Sequence, residues 1–537
     1  MPGEGDSGGE VLRLAEAAAF VRVSQKTLRE MARACRLPCQ KAGREWRFLR
    51  RGLENWLTAA VGARTAKEPE KTCHQGALFP ETPASRQDAA SGFGDTAFTR
   101  NRREPLHRWV PWIAGFSAAF VERVFDAAIS ADARSVTVLD PFAGVGTTLV
   151  EGLKRGYNVV GFEINPYAAL ACEVKLSAAR FKIGELTHAL HKLEELHRSG
   201  AAGKGKPRSG PPENFRSRTR FFSPGIERQV LFLRDFIERQ RSGLLKKAMK
   251  VALGAVMVSF SNYSYEPSLG TRLAAGKADI EEADVLRIFA DKLWEMEADI
   301  GFLQRHMERF SHRPTARMHR CSYLDGAGAL PPRSVDVLVT SPPYLNNYHY
   351  VRNTRPQLYW LDLVARNGDL KKLEEDNFGK FWQTVRAGPK VAPAFHLPEL
   401  QETLDGIRER NRDRGIYGGE GWANYAATYF NDCCRFFDVT RRVMKPGASV
   451  VVVIGNNIVQ GVHVETDRFL ARIGELHGFS VVGMHRVRTK RTGSSIVNSS
   501  VRAGVTKHRT ELYETALELK APPARRLRNW AQKANCI

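Results

Sequence analysis

The stretch Val335-Asp-Val-Leu-Val-Thr-Ser-Pro-Pro-Tyr344 gathers side chains suited to holding a planar ring that bears an amine. Ser341 offers a hydroxyl, Pro342 a carbonyl on a residue without an amide hydrogen, and Tyr344 an aromatic face. Pro342 and Pro343 stiffen the corner, because each proline fixes φ near about −65° and restricts the residue before it. Two acceptors and a stacking surface suit a base with an exocyclic amine. Taken alone, S-P-P-Y fits an ordinary strand-ending turn equally well.

A second cluster removes that ambiguity. Asp140-Pro141-Phe142-Ala143-Gly144-Val145-Gly146-Thr147-Thr148 is followed by Glu163. Gly144 and Gly146 predict a tight turn into a helix, where the backbone approaches a ligand and amide hydrogens are unpaired. Glu163 lies about 20 residues past the first glycine, the spacing at which a carboxylate reaches a ribose hydroxyl in nucleoside-binding α/β folds. There is neither a G-x-G-x-x-G run nor the lysine of a P-loop, so the ligand expected is a nucleoside without a pyrophosphate.

Three apolar strands must position these residues. Val136–Leu139, Asn158–Phe162 and Val335–Thr340 are short β-branched runs, and each delivers its motif at its carboxyl end. Ala448–Ile454, Val481–Arg488 and Leu512–Leu519 predict further strands, the last two forming an antiparallel end to the sheet. Trp422–Val443 reads as a helix.

The D-P-F-A-G-V-G-T-T, F-E-I-N-P and T-S-P-P-Y motifs resemble those of the amino-methyltransferases that modify exocyclic amines of DNA bases. The resemblance covers roughly Phe98–Ala171 and Thr315–Lys520. It implies an α/β, Rossmann-like methyltransferase fold with a mostly parallel sheet, and S-adenosylmethionine as cofactor. Phe116, Asp140, Pro141, Phe142, Ala143, Gly144, Gly146, Thr147, Thr148 and Glu163 would then hold that cofactor, and Asp325 would meet its adenine amine. Phe116 is the favoured member of the aromatic segment Phe98–Phe116, whose other candidates are His107, Trp109 and Trp112; core packing is the alternative role for that segment. Ser341, Pro342, Pro343 and Tyr344 would be catalytic. In this family the Ser form of the corner is most typical of N4 of cytosine, and the Asp or Asn form of N6 of adenine.

Residues 11–57 read as a separate module. Leu14–Val21 has helical spacing, Ser24 is a good N-cap for a second helix, and a two-stranded wing turns at Ala42-Gly43. A short helix at Leu53–Leu57 follows. This order resembles the excisionase-like, MerR-related winged helix-turn-helix. The resemblance places Gln25, Lys26, Arg29 and Arg33 toward a major groove and Arg44, with Lys41 and Arg47, toward phosphates. Solvated charge is the plainer reading of each such residue.

The rest of the chain divides by composition. Residues 58–97 predict a flexible tether and 98–175 the cofactor half. Residues 176–316 form a helical insertion, a candidate for target recognition or a structural cap; within it helices are expected near Gly225–Gln240 and Leu244–Ser259. Residues 317–520 hold the catalytic half, with a charged, loop-rich insertion at 366–421 that could close over DNA, and 521–537 form a basic tail. Lys490–Arg509 is basic and rich in Ser and Asn, as a DNA-facing loop would be.

The 81 Lys and Arg against 58 Asp and Glu give a formal charge of +23, an excess that favours a polyanionic partner or reflects an arginine-rich proteome. The eight cysteines form no C-x-x-C pair, which points to reduced thiols, a cytoplasmic setting and no metal. No apolar run reaches the roughly 18 residues of a membrane span. Pro38-Cys39-Gln40 matches the nucleophile motif of cytosine-C5 methyltransferases, but it precedes the glycine motif and no E-N-V partner follows suitably. Cys39 is therefore read as a packed wing residue.

The leading expectation is a DNA methyltransferase that flips cytosine out of duplex DNA and methylates N4 directly. Adenine N6 or an RNA base is a second expectation, and a non-catalytic DNA-binding regulator on the same scaffold a third. A cognate restriction or defence nuclease is left open as a partner.

Overall fold

The computed structural model describes residues 11–21, 24, 25, 28, 32, 40–42, 45–49, 101–112, 115–199, 207–265, 268–345, 349–490 and 511–524. The chain divides into two compact units, Met1–Thr82 and Pro83–Ile537.

In the first unit, β1 (Val11–Arg13), β2 (Gln40–Ala42) and β3 (Glu45–Leu49) form an antiparallel sheet in the order β1-β3-β2. The helix Leu14–Val21 has the bounds its spacing predicts. Its start is fixed by the Glu16 carboxylate, which accepts the Arg13 amide at 2.7 Å. Leu12, Ala17, Ala18, Leu28, Ala32 and Phe48 make the core. The wing pairs Ala42 with Glu45, as expected, whereas β1 was not foreseen: three residues are too few for a readable alternation. Gln25 is helical and exposed. Lys26, Arg29, Arg33 and Arg44 lie outside the described residues, as do Cys39, the 53–57 helix and the 58–97 tether.

The second unit is built on β4 (Thr137–Asp140), β5 (Asn158–Phe162), β8 (Ala316–His319), β9 (Val335–Thr340), β10 (Met444–Gly455), β13 (Ser480–Lys490) and β14 (Leu512–Lys520). Their order is β13-β14-β10-β9-β4-β5-β8. β10, β9, β4, β5 and β8 run parallel, and β14 is antiparallel to both its neighbours. From β4 the chain builds outward through β5 and β8, then returns to β4's other side for β9 and β10. Ligands of open α/β sheets bind at such a reversal, beyond the carboxyl ends of the strands. Both β4–β9 neighbours carry motifs at those ends.

Apolar runs bury both sheet faces. Phe120, Val124, Phe125 and Leu149 cover one, and Phe430, Phe437, Leu470 and Ile473 the other. β10 begins at Met444, earlier than the apolar run suggests, because its pairing with β9 shifts between Met444 and Ser449 around Gly447 at φ 74°. Two small hairpins stand apart from the sheet: β6 (Tyr263–Tyr265) with β7 (Leu269–Thr271), and β11 (Asn457–Val459) with β12 (Val462–Val464).

The first insertion is helical, as expected: Glu185–Arg198, Pro224–Glu238, Gly243–Val256 and the long helix Val285–Met307. It shares one core with Trp109, Tyr167 and Trp360 of the catalytic unit. Asp299 anchors it. That buried carboxylate accepts the Leu106 amide at 2.7 Å, Trp109 Nε1 at 2.9 Å, and two bonds from Arg108, at 3.1 and 2.5 Å. The second insertion is less loop-rich than its composition suggests. Asn367–Glu375, Trp382–Val385 and Pro398–Arg408 are helices, and Leu397, Leu400, Leu404 and Ile407 are buried against the Gly419–Val443 helix side of the sheet. Its charges lie on the outer faces of those helices. No helix among the described residues is long and apolar enough to cross a membrane.

Removing Asp299 strands three donor groups in a dry interface. Asp299→Ala should destabilise the catalytic unit by about 3–5 kcal/mol and Asp299→Asn by less, since the amide keeps one acceptor. Urea unfolding followed by tryptophan fluorescence reads the difference.

Candidate active site

A cleft opens where β4, β5, β8 and β9 end. Pro141, Phe142 and Gly144 line it from the β4 turn, and Phe162, Glu163, Ile164 and Asn165 from the end of β5. Cys321, Ser322 and Tyr323 follow β8, and Ser341 and Pro343 follow β9. Two motifs nearly 200 positions apart in the chain thus share one cavity, with Trp112, Tyr350 and residues of the second insertion closing it.

The β4 turn is locked from behind. Asp140 is 2% exposed; its carboxylate accepts Thr340 Oγ1 at 2.6 Å and the Phe142 amide at 3.1 Å. Burial pushes this carboxyl up to about 6, while the hydrogen bonds from Thr340, Thr148 and the Phe142 amide pull the other way. Thr148 Oγ1 also reaches the Val339 carbonyl at 3.4 Å. Ala143, Gly146, Thr147 and Thr148 pack behind the cleft and shape the turn. Gly146, at φ 87°, has no room for a side chain: a Cβ there would sit 2.7 Å from Cys172 Sγ.

Glu163 is half-buried in the cleft wall. Its Oε1 accepts the Asn165 amide at 2.7 Å and its Oε2 the Gly144 amide at 2.9 Å, so the acid is pinned to the glycine turn. Burial raises it to about 7 against those two amide bonds, with the Asp140 charge adding to the rise. Asn165 caps the next helix through the Tyr167 and Ala168 amides and donates to Thr354 Oγ1 at 2.8 Å. Gly144, at φ 51°, faces Trp112: a Cβ would lie 3.2 Å from Trp112 Nε1. Trp112 stacks with Tyr350, ring centroids 6.3 Å apart.

On the β9 side, Ser341 Oγ lies 3.4 Å from the Tyr344 hydroxyl. Pro342 is buried, and the Tyr344 ring packs against Gly455, where a Cβ would approach it to 3.2 Å. Tyr344 stands beside the cleft and is not part of its lining. Burial raises its phenol well above the ordinary tyrosine value, with the Glu514 charge adding to the effect, so the hydroxyl stays protonated.

Two expected cofactor residues lie elsewhere. Phe116 is a core residue whose ring meets Phe120 at a tilt, centroids 5.6 Å apart; its neighbour Trp112 takes the cleft position. His107 and Trp109 are also interior, bonded to Glu151 and Asp299. Asp325 is 68% exposed and paired with Arg435 at 3.1 Å, a helical turn beyond the cleft. Ser322 and Cys321 occupy the wall where that acid was expected. Reading also missed Leu373, Asp376, Asn377 and Phe378, since nothing in a long insertion marks the few residues that fold back onto a distant motif. Tyr350 was legible only as one aromatic among several. No group of three or more His, Cys, Asp or Glu among the described residues could hold a metal.

The cavity fits a nucleoside. It has an acid held by two amides at the end of the second strand, the Gly144 turn under Trp112, and aromatic walls from Phe142, Trp112 and Tyr350. Strand order and site together define the Rossmann-like methyltransferase fold.

Comparison with known proteins agrees. A helix-turn-helix domain family matches residues 11–60. The type II methyltransferase M.BsoBI of Geobacillus stearothermophilus is 24% identical over 443 residues, 74% of this chain and 83% of that one. M.AvaI of Nostoc sp. is 23% identical, covering 72% and 81%, and M.MvaI of Kocuria varians 22%, covering 70% and 82%. Among solved structures, TrmN from Thermus thermophilus covers 79% of this chain and 52% of that one at 11% identity, with a TM-score of 0.25, too slight a likeness to argue from. The chain is a homologue of the type II methyltransferases that carries an amino-terminal helix-turn-helix domain.

Asp140 gives a pH prediction. Its folded value, about 6, lies above the ordinary aspartate value. Its contribution to stability is therefore full at low pH and is lost as pH rises through about 6. Wild type should lose stability between about pH 5 and pH 7.5 relative to Asp140→Asn, which has no proton to lose there. Urea midpoints for the two proteins at both pH values check this.

Proposed function

We propose that this chain transfers a methyl group from S-adenosylmethionine to an exocyclic amine of a base in duplex DNA, and that the amine is N4 of cytosine. The observation that carries the proposal is the meeting of Glu163 and the Ser341–Pro343 corner in one cleft at the switch point. The relatives and the helix-turn-helix domain support DNA as the substrate.

Glu163, Gly144, Pro141, Phe142 and Trp112 would hold the cofactor, with Ile164 and Ser322 completing its wall. When bound, it supplies an electron-poor methyl group on a sulfonium. Everything else falls to the chain. The amine of cytosine is a poor nucleophile because its lone pair is delocalised into the ring. In a duplex it is also stacked, so the base must leave the helix at a cost of a few kcal/mol. Tyr344, beside the corner, offers a ring worth about 1–3 kcal/mol to a stacked base. Ser341 Oγ and the Pro342 carbonyl accept the two amine hydrogens, which localises the lone pair and aims it. Rate then comes mainly from positioning.

Proton removal sets the chemistry apart from base catalysis. Ser341 carries no charge, and the neighbouring Tyr344 phenol is held neutral by burial. The amine proton therefore leaves late, to solvent, after the bond to carbon has formed. No covalent enzyme intermediate is required, which agrees with the thiols: burial pushes Cys172 above the ordinary value and Cys433 well above it, and Cys321 in the cleft wall is also raised, by partial burial and the Asp325 charge. The amino-terminal unit would supply a second contact with DNA and raise the local concentration of substrate.

Labelled methyl transfer to duplex DNA, with the product nucleosides resolved by mass spectrometry, tests this. The account expects N4-methylcytosine, and a loss of about 10²-fold in rate for Ser341→Ala, the size seen when one positioned polar group is removed from an active site. N6-methyladenine would overturn the assignment of the amine, and label on RNA alone would overturn DNA as the substrate.

A further inference from the structure

The second insertion ends in a loop, Asn411–Gly418, whose construction serves no purpose in the core. Asn411 has φ 47°, and Gly415 has φ 54° with ψ −129°, left-handed positions filled by the two residue types that tolerate them best. The loop is tightly held. The Arg414 amide bonds the Asn411 carbonyl at 3.0 Å, Gly418 bonds Gly415 at 2.9 Å, and Gly419 bonds Arg410 at 2.8 Å. At Gly418, Gly419 and Gly421 a Cβ would fall within 2.0–2.1 Å of a backbone oxygen, so the chain closes on itself there.

What the rigid loop presents is unusual. Ile416 is 40% exposed and Tyr417 54% exposed. Arg386 lies over both Tyr417 and Trp382, at 4.5 and 4.4 Å, and Trp382 stacks on Trp422 with centroids 5.0 Å apart. Arg410, Arg412 and Arg414, in and beside the loop, and Lys390 are all exposed. Arg412 pairs with Glu409; Arg410, Arg414 and Lys390 have no ion pair among the described residues, although Asp413 and Glu420 are nearby in sequence. Tyr417 stays about half exposed even with Arg386 over its ring.

Topology places this loop on the active-site rim. It precedes Gly419–Val443, a 25-residue helix that runs antiparallel into β10. That helix is about 37 Å long, whereas β10 from Met444 to Gly455 advances only about 26 Å by its register with β9, so the helix start overshoots the carboxyl edge of the sheet. A chain of contacts agrees: Tyr344 packs on Gly455, β11 and β12 follow Gly455 directly, and Gln460 at their tip accepts a hydrogen bond from Asn411.

We propose that Asn411–Tyr417, with Arg386, is a docking surface for duplex DNA beside the corner at Ser341: the arginines meet phosphates and the Tyr417 ring stacks on a base. The proposal rests on DNA being the substrate. Charge complementarity and a pre-stacked aromatic are the features by which single and opened strands are held. Because the loop is already pinned by its own hydrogen bonds, little ordering remains when DNA arrives.

The test is site-specific photocrosslinking in the full chain. Tyr417 is replaced by a benzoyl-phenylalanine photocrosslinker, and Ile183, 92% exposed and by topology at the opposite edge of the sheet, carries the same probe as control. Crosslinking to duplex DNA from position 417 and not from 183 supports the surface. In parallel, Tyr417→Ala should raise KM for DNA at least about fivefold, the low end for a base–aromatic stack, with S-adenosylhomocysteine affinity by calorimetry unchanged. Methyl transfer to DNA with no crosslink at 417 and no change in KM overturns the surface and leaves the proposed function standing. Failure of the wild-type chain to methylate DNA overturns both.

Discussion

The hydrogen bond from Thr340 to Asp140, 2.6 Å long and shut away from water, joins the two halves of the site. β4 and β9 pair directly only at Val138–Val337 and Leu139–Leu338, and beyond that the two strands lead to different motifs. One carboxylate spans the divergence. It holds the last residue of β9 and the Phe142 amide of the β4 turn together. Burying a carboxylate is costly unless its acceptors are used, and here they are. The cleft exists because the strands part there, and its two walls keep their spacing because Asp140 does not let them part further.

Both insertions serve that cleft by different means. The first docks through Asp299 onto Leu106, Arg108 and Trp109, which fixes the segment whose next turn brings Trp112 over Gly144. The second packs Leu400, Leu404 and Ile407 into the core and hands Leu373 to Phe378 to the cavity wall. Phe378 meets Phe142 edge-on at 5.0 Å and Tyr429 at 5.5 Å, so the wall is tied to the glycine turn. Neither insertion is a passive spacer.

How far residues alone disclose this differs by element. β5 and β9 have the bounds read from their apolar runs, since a buried parallel strand needs apolar residues on both faces. β8, Ala-Arg-Met-His, is half-exposed at the sheet edge and carries no such signal. The glycine motif and Glu163 were legible because each does a backbone-level task that few residue types can do. Phe116 and Asp325 misled for a common reason: spacing along a chain says which residues are near a strand end, not which way a loop turns after it. Trp112 rather than Phe116, and Ser322 rather than Asp325, face inward. The loop at Asn411–Tyr417 was visible only as charge, because its seat on Gln460 depends on a partner far away in sequence.

The most direct test of the account is a crystal structure with S-adenosylhomocysteine bound. The account predicts density for the nucleoside in the cleft between β4 and β9, its ribose hydroxyls within hydrogen-bond reach of Glu163 and its sulfur directed toward Ser341. Density elsewhere on the chain, or a nucleoside that leaves Glu163 bonded only to the Gly144 and Asn165 amides, would contradict it.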